Sequence, residues 1–275
     1  MISHWQPTKM LTLTPLQHIP LIRHGDDLAD ILVSALAANG IELADGDILV
    51  VTSKIVSKAE GRMVDLASVQ PSEDALELAR RSEKDPRLAE LILQESAEVL
   101  RVRVGTVIVE HRLGFVCANA GIDHSNTPAP SPDSPPPFSP KMGEGPGEGV
   151  LLLPRDPDAS SRAIREKVES KTGKKIGVML VDSHGRAWRI GTVGMCIGLS
   201  GIPAVMDERG WKDLFGRELQ ITVVGVADEL AAAASLMMGQ AAEGTPVVHA
   251  RGFPYPLREG SMKELLRPKN QDMFR

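Results

Sequence analysis

Four short segments of this 275-residue chain carry side chains whose types and spacing suit chemistry rather than packing. The first is GIDHSN, residues 121–126, where Asp123, His124, Ser125 and Asn126 follow an apolar stretch ending at Ala118. Loops at strand ends often hold ligand groups on a rigid base. The same Asp, Ser and Asn would also make an Asx-turn. The second is VDSHGR, residues 181–186, which sets Asp182 and Ser183 at the end of another apolar stretch. A carboxylate and a hydroxyl there suit a hard divalent cation with oxygen ligands, although a turn would use the same residues. If the two segments converge, Asp123 and Asp182 could share one metal or hold two. Mg²⁺ or Mn²⁺ fits better than Zn²⁺, because no Cys/His ligand spacing is present.

The third segment is SKIVSKAEGR, residues 53–62. In a helix, Lys54 and Lys58 would share a face near the helix N-terminus, with Ser53 and Ser57 beside them. That arrangement attracts phosphate, and it is also what a solvated basic face looks like. The fourth is MMGQAAEGTP, residues 237–246, in which Gly239 and Gly244 bracket Gln240 and Glu243. Glycines let backbone N–H groups approach a phosphate or base closely; a helix C-cap followed by an ordinary loop is the plainer reading. No Walker A pattern, no GxGxxG after a strand and no kinase signature set occurs, so a bound nucleotide needs a different scaffold.

The elements that must position these groups alternate in type. Apolar patterning predicts strands over 11–13, 47–51, 99–109, 114–118, 175–181, 219–227 and 247–251. Helices are predicted over 26–39, 72–81, 86–96, 160–172 and 228–238. Asp85 and Pro86 open the third of these, and Gly173 closes the fourth. Strands and helices mix without strict βαβ alternation, which points to an α+β fold with a mixed sheet. Residues 128–149 stand apart: 12 of these 22 are Pro or Gly. Such a segment buries too little apolar surface to offset its ordering entropy and reads as a mobile surface insert, with a Pro-rich docking ligand as the alternative.

Composition excludes several classes. Lys and Arg number 31 against 36 Asp and Glu, for a net charge of -5, so general positive charge does not grip nucleic acid. Aromatics are 3%, too few for base-stacking platforms. The longest uncharged run, residues 190–206, contains four glycines and a proline and is too short and broken to span a membrane. Two cysteines and no secretory h-region make a reducing, cytoplasmic setting the expectation.

In order along the chain stand IPLIRHGDDL, GDILVVTSKIVSKAEGR, ANAGIDHSN, LLLPRDPDASS, VDSHGRAWRIGTVGMCIGLSGI and VADELAAAASLMMGQ. Together they resemble the coenzyme F420-0:L-glutamate ligase family, the γ-glutamyl ligases of deazaflavin cofactor synthesis. The resemblance runs from about residue 11 to 262 and makes the chain one ligase module, 1–275, of two subdomains. It implies a two-domain α+β fold in an intertwined homodimer, with the active site at the dimer interface. It also implies that GTP activates the terminal carboxylate of F420-0 as an acyl phosphate. The amine of L-glutamate then attacks, releasing GDP and phosphate, and a γ-linkage extends F420-1. Mg²⁺ or Mn²⁺ would assist, with K⁺.

Position by position, the resemblance makes Asp123, Asp182, Ser183 and Gln240 the metal site; Gln240 is often Glu in relatives and would hold the ion less strongly. It puts GTP against Ile19, Pro20, Leu21, Ile22, Ser53, Lys54, Lys58 and Asn126. The same contact continues through Met238, Gly239, Gln240, Ala241, Ala242, Glu243, Gly244 and Thr245. Lys58 and the metals would stabilise charge on the transferring γ-phosphoryl oxygens, with Asp123 and Asp182 as the catalytic carboxylates. Arg186 and Arg189 lie three apart beyond Asp182 and could hold substrate carboxylates bidentately; a pair of surface arginines would look the same.

The sequence departs from the family pattern in three ways. The Pro/Gly insert follows GIDHSN directly, where relatives run quickly into LLLP. His124 stands where Ala is common. Nothing corresponds to the flavin-binding, nitroreductase-like domain fused to some relatives, so neither FMN nor reductase activity is expected. The alternatives are a ligase of the same fold with a pterin or folate acceptor, and a catalytically silent GTP- and metal-binding relative.

Overall fold

The computed structural model describes residues 10–125 and 149–273. Asn126 and nearly all of the Pro/Gly insert therefore lie outside the described residues. In chain order the elements are β1 (Thr12–Pro15), α1 (Leu28–Ala38), β2 (Ile48–Thr52), α2 (Ser53–Ala59), β3 (Met63–Asp65), α3 (Glu73–Ser82), α4 (Pro86–Glu95), β4 (Ser96–Arg103), β5 (Thr106–His111), β6 (Val116–Ala118), β7 (Gly149–Leu151), α5 (Pro157–Thr172), β8 (Gly177–Arg186), β9 (Arg189–Ser200), β10 (Met206–Asp207), β11 (Val223–Val224), α6 (Val226–Met238) and β12 (Val247–Arg251).

Five strands form the main sheet in the order β1-β12-β2-β8-β9. β2 and β8 run parallel and the other pairs are antiparallel, so the sheet is mixed, as expected. Successive residues of β2 and β8 point to opposite faces, and both faces are apolar because both are covered. Leu49, Val51, Val178 and Leu180 pack with Leu32, Leu36 and Val168 of α1 and α5. Ile48, Val50, Met179 and Val181 pack with Leu230, Ala231 and Ala234 of α6. A separate apolar cluster joins α3 and α4 to the three-stranded sheet β4-β5-β6, through Leu78, Leu88, Ile92, Val107 and Val109.

Local signals hold where the ends are chemically marked. Asp27, Ser72 and Asp85 cap α1, α3 and α4, each accepting backbone N–H groups of the first turn, and Gly173 ends α5 in the left-handed region. Other expectations need correction. The strand expected over 99–109 is a hairpin, because Gly105 at φ 78 turns the chain between β4 and β5. Helix α5 begins at Pro157, capped by Asp156, rather than at 160. The strand expected over 219–227 shrinks to Val223–Val224, and α6 already begins at Val226.

The largest departure is β9. Its glycines break the apolar pattern but admit the two helices that pack on the strand. A Cβ at Gly198 would lie 2.3 Å from Pro157 Cβ of α5, and one at Gly194 would lie 2.6 Å from the Ala231 carbonyl oxygen of α6. No helix among the described residues is long and apolar enough to cross a membrane.

Candidate active site

The parallel pair β2–β8 decides where the chemistry collects. Thr52 pairs with Val181, so the residues that follow, Ser53 and Asp182, emerge side by side. Ligands in open α/β sheets bind beyond the carboxyl ends of such strands. β12 enters the same edge from the opposite direction, with Val247 beside Val51 and Thr52 N–H donating to the Pro246 carbonyl. The loop before β12 is thereby brought to Ser53.

Segment 53–59 is helical, which makes the two lysines neighbours on one face. Ser53, buried, donates its hydroxyl to Asp182 Oδ1 at 2.9 Å. Lys54 Nζ lies 2.7 Å from Asp123 Oδ2 and donates to Ser125 Oγ at 2.6 Å. The two carboxylates thus rest against consecutive residues at the start of α2. Asp123 is held from behind by a two-way backbone bridge to Leu151 of β7, and its Oδ1 accepts the Ser125 N–H at 2.7 Å. Burial opposes its ionisation, but the Lys54 ammonium and the Ser125 N–H outweigh burial and hold its pKa below the usual value. Lys58, half-buried, has its pKa lowered by burial and by the Lys54 charge, against the pull of Asp123.

Segment 181–186 is not a turn, as its composition suggested. β8 continues through it to Arg186, paired throughout with β9. Continuation of the strand places His184 on the same face as Asp182. His184 Nε2 lies 3.1 Å from Asp182 Oδ2, with its N–H direction off the line of a hydrogen bond. Phe115 tilts onto the His184 ring, and His111 stacks behind Phe115. Burial drives the His111 pKa down to about 4, so that imidazole is neutral. Cys117 also adjoins Asp182; burial first, then that carboxylate, push its thiol up to about 12, which removes it as a nucleophile. His184 is the residue that sequence reasoning missed. The signal was the period of two from Asp182, hidden by an Asp-Ser-His-Gly string that reads as a turn.

Ser183 faces the other side of β8. It donates to Gln240 Oε1 at 3.0 Å, and Gln240 Nε2 in turn donates to Ser235 Oγ of α6 at 3.2 Å. The four expected metal residues thus form two groups, Asp123 with Asp182 and Ser183 with Gln240, on either side of one strand. Among the described residues, no three His, Cys, Asp or Glu side chains converge as a ready-made metal cage. Two separated groups of this kind fit two ions rather than one, each keeping some water and taking oxygens from a substrate.

The remaining expected contacts border this edge. Leu16 N–H bonds the Val247 carbonyl and Gly25 N–H bonds the Ala59 carbonyl, so Ile19, Pro20, Leu21 and Ile22 run between the start of β12 and the end of α2. Ile22 is buried and Leu21 is 90% exposed. The loop from Met238 to Thr245 closes on itself, with Thr245 Oγ1 donating to the Met238 carbonyl at 2.8 Å.

Arg186 and Arg189 stand apart. They pair across the tip of the β8–β9 hairpin, with Arg189 exposed. Four residues of strand, about 13 Å, separate Arg186 from Asp182. Within one chain the structure does not bring Arg189 to the carboxylates. Trp188 and Ile190 beside it are 88% and 102% exposed, and Leu214, Phe215 and Ile221 are also exposed.

Comparison with known proteins adds a second line. A family model described as F420-0:Gamma-glutamyl ligase matches residues 17–252. The chain is 45% identical over 268 residues to a coenzyme F420:L-glutamate ligase of Methanothermobacter thermautotrophicus, covering 96% of this chain and 99% of that protein. It is 42% identical to a protein of the same description from Methanocaldococcus jannaschii, covering 94% of each. A third, from Archaeoglobus fulgidus, is 42% identical over 95% of each.

Proposed function

The chain belongs to the F420-0:gamma-glutamyl ligase family, and from that premise we propose that it joins L-glutamate to coenzyme F420-0 at the expense of GTP. The observation that carries this reading is the convergence of three segments on one sheet edge: 19–22, Ser53 to Lys58, and Met238 to Thr245. Asp123 and Asp182 lie against the first two residues of α2 at the same edge. Such an edge suits a polyphosphate beside a carboxylate-bound cation.

In the proposed reaction the terminal carboxylate of F420-0 attacks the γ-phosphorus of GTP, giving an acyl phosphate and GDP. The glutamate amine then attacks the acyl carbon, loses its proton and expels phosphate as the amide forms. A second round, using the γ-carboxylate of F420-1, extends the tail. Lys54 and Lys58 orient and neutralise phosphate oxygens, and desolvation strengthens the interaction of Lys58 with them. Asp123 with Asp182, and Ser183 with Gln240, would each hold a Mg²⁺ or Mn²⁺, with K⁺ assisting. The metal supplies charge neutralisation at the phosphates. Ser53 fixes the Asp182 carboxylate for that task.

The proposal includes a homodimer. The apolar hairpin tip at Trp188 and Ile190, and separately the exposed Leu214, Phe215 and Ile221, are apolar surfaces that a second copy would cover. In that assembly Arg186 and Arg189 would meet substrate carboxylates in the partner's groove rather than in their own. The buried, unpaired thiols suit the cytoplasm.

The test is GTP turnover measured with and without F420-0 and glutamate, with mass analysis of the product. Turnover that needs both substrates and adds one or more glutamyl masses is the expected result. Turnover without either substrate, or GTP bound and never hydrolysed, would reject the ligase reading. A pterin or folate replacing F420-0 with equal rate would reject the acceptor.

A further inference from the structure

The loop between α6 and β12 holds an anion of its own. The Glu243 side chain folds back over Gly239, so closely that a Cβ at position 239 would lie 2.3 Å from Glu243 Cδ. Glu243 Oε2 accepts the Ala241 N–H at 2.7 Å. The N–H dipole of Glu243 itself, that bond and the N–H dipole of Gln240 favour the charged form, and together they hold its pKa below the ordinary glutamate value. Successive backbone N–H groups turned to one point form an anion-binding concavity. The loop carrying it is tied down at two places. Thr245 Oγ1 closes its base on the Met238 carbonyl, and Gln240 reaches Ser183, the neighbour of Asp182. The concavity is therefore held in register with the carboxylate edge of the sheet.

We propose that the Glu243 carboxylate is an internal stand-in for a substrate phosphate, filling the N–H concavity of residues 240–243 in the free protein and leaving it when a phosphate group binds. This rests on the reading of the loop as part of the nucleotide subsite. The three N–H groups cannot donate fully to the tethered carboxylate and to an incoming oxyanion together, so the two compete. Competition also sets selectivity. A tethered carboxylate acts at high effective concentration, so a second carboxylate, such as that of free glutamate, gains little by displacing it. A phosphate with more charge and more acceptor oxygens does gain. Gly239 has a matching role: at φ 74 and without a Cβ, it leaves the space into which Glu243 folds.

Titration calorimetry at low ionic strength, without divalent metal, separates the possibilities. The probes are GTP, tripolyphosphate and guanosine, against the unmodified protein, Glu243→Ala and Glu243→Asp. Aspartate keeps the charge but is one methylene too short to reach the concavity. Both variants are expected to bind GTP and tripolyphosphate roughly two- to fivefold more tightly, with guanosine unchanged. Tightening in Glu243→Ala alone would mean a general field effect and would overturn the proposal. Unchanged or weaker tripolyphosphate binding in Glu243→Ala would overturn it too. If GTP binds none of the proteins while tripolyphosphate tightens in both variants, the nucleotide reading fails and the stand-in survives. If tripolyphosphate binds none of them, the stand-in is wrong whatever GTP does.

Discussion

Gly194 offers the sharpest test of how the fold holds the site. It lies on β9 directly across from Ser183, and α6 packs on it. A Cβ there would sit 2.5 Å from Ser235 Cβ and 2.6 Å from the Ala231 carbonyl oxygen. Non-bonded carbon atoms prefer about 3.5–4.0 Å, so α6 must retreat by roughly 1 Å. Overpacking of that kind costs about 1–3 kcal/mol, against which the lower unfolded-state entropy of alanine returns about 0.4–1 kcal/mol. The net loss for Gly194→Ala should lower Tm by roughly 2–8 °C. The damage should also reach function, because Ser235 accepts from Gln240, and Gln240 accepts from Ser183. Gly185 on β8 is the control: a Cβ there meets nothing within 4 Å. Gly185→Ala should leave Tm unchanged or slightly raised. Scanning calorimetry and chemical denaturation of both variants, with GTP affinity alongside, read the difference. Equal Tm values for the two variants would refute the close packing of α6 on β9 as the reason for glycine at 194.

Three further outcomes are expected. Asp182→Asn should lower metal-dependent ligation by about 100-fold or more while Tm moves little, since the amide still accepts from Ser53; steady-state kinetics and Mn²⁺ binding check both halves. Asp47→Ala should cost about 1.5–3 kcal/mol, because Asp47 is buried and takes both guanidinium bonds of Arg251, the Ala44 N–H and a close approach from His249, while the Arg251 left behind is half exposed and can be solvated. Burial alone would raise the Asp47 pKa, but Arg251 and its other partners lower it below 3.8. Its stabilisation is therefore present above the unfolded value and lost as pH falls through the lower folded one. Asp47→Asn should flatten that acid limb in urea titrations. Burial lowers the Lys58 pKa below 10.5, so its ammonium is lost earlier on the alkaline side than an ordinary lysine's. If Lys58 serves the phosphates, ligation should fall on that limb, and Lys58→Arg should move the limb to higher pH in a pH–rate profile.

Much of the local structure was legible from residue order. The ends of α3 and α4, the close of α5 at Gly173 and the strand Val247–Arg251 follow from caps, a glycine and an apolar run. These signals act within one turn or one strand and need no partner. The candidate carboxylates Asp123 and Asp182 were legible for the same reason, each lying close after an apolar strand pattern. The extension of β8 to Arg186 and the whole of β9 were not. Asp, Ser, His and Gly favour turns in isolation, and only the ladder between the two strands makes them extended.

The pairings within the site belong to the same class. Ser53 and Asp182 are 129 residues apart and meet because β2 and β8 are parallel with Thr52 beside Val181. His184 joins Asp182, and Ser183 turns away to Gln240, because side chains alternate along a strand. The carriage of Glu243 into its own loop's N–H groups depends on where α6 ends and how Gly239 turns. Residue types along the chain were enough to say which groups hold charge and where elements begin. Which groups meet is a matter of strand register and helix packing, and those energies exist only between segments far apart in sequence.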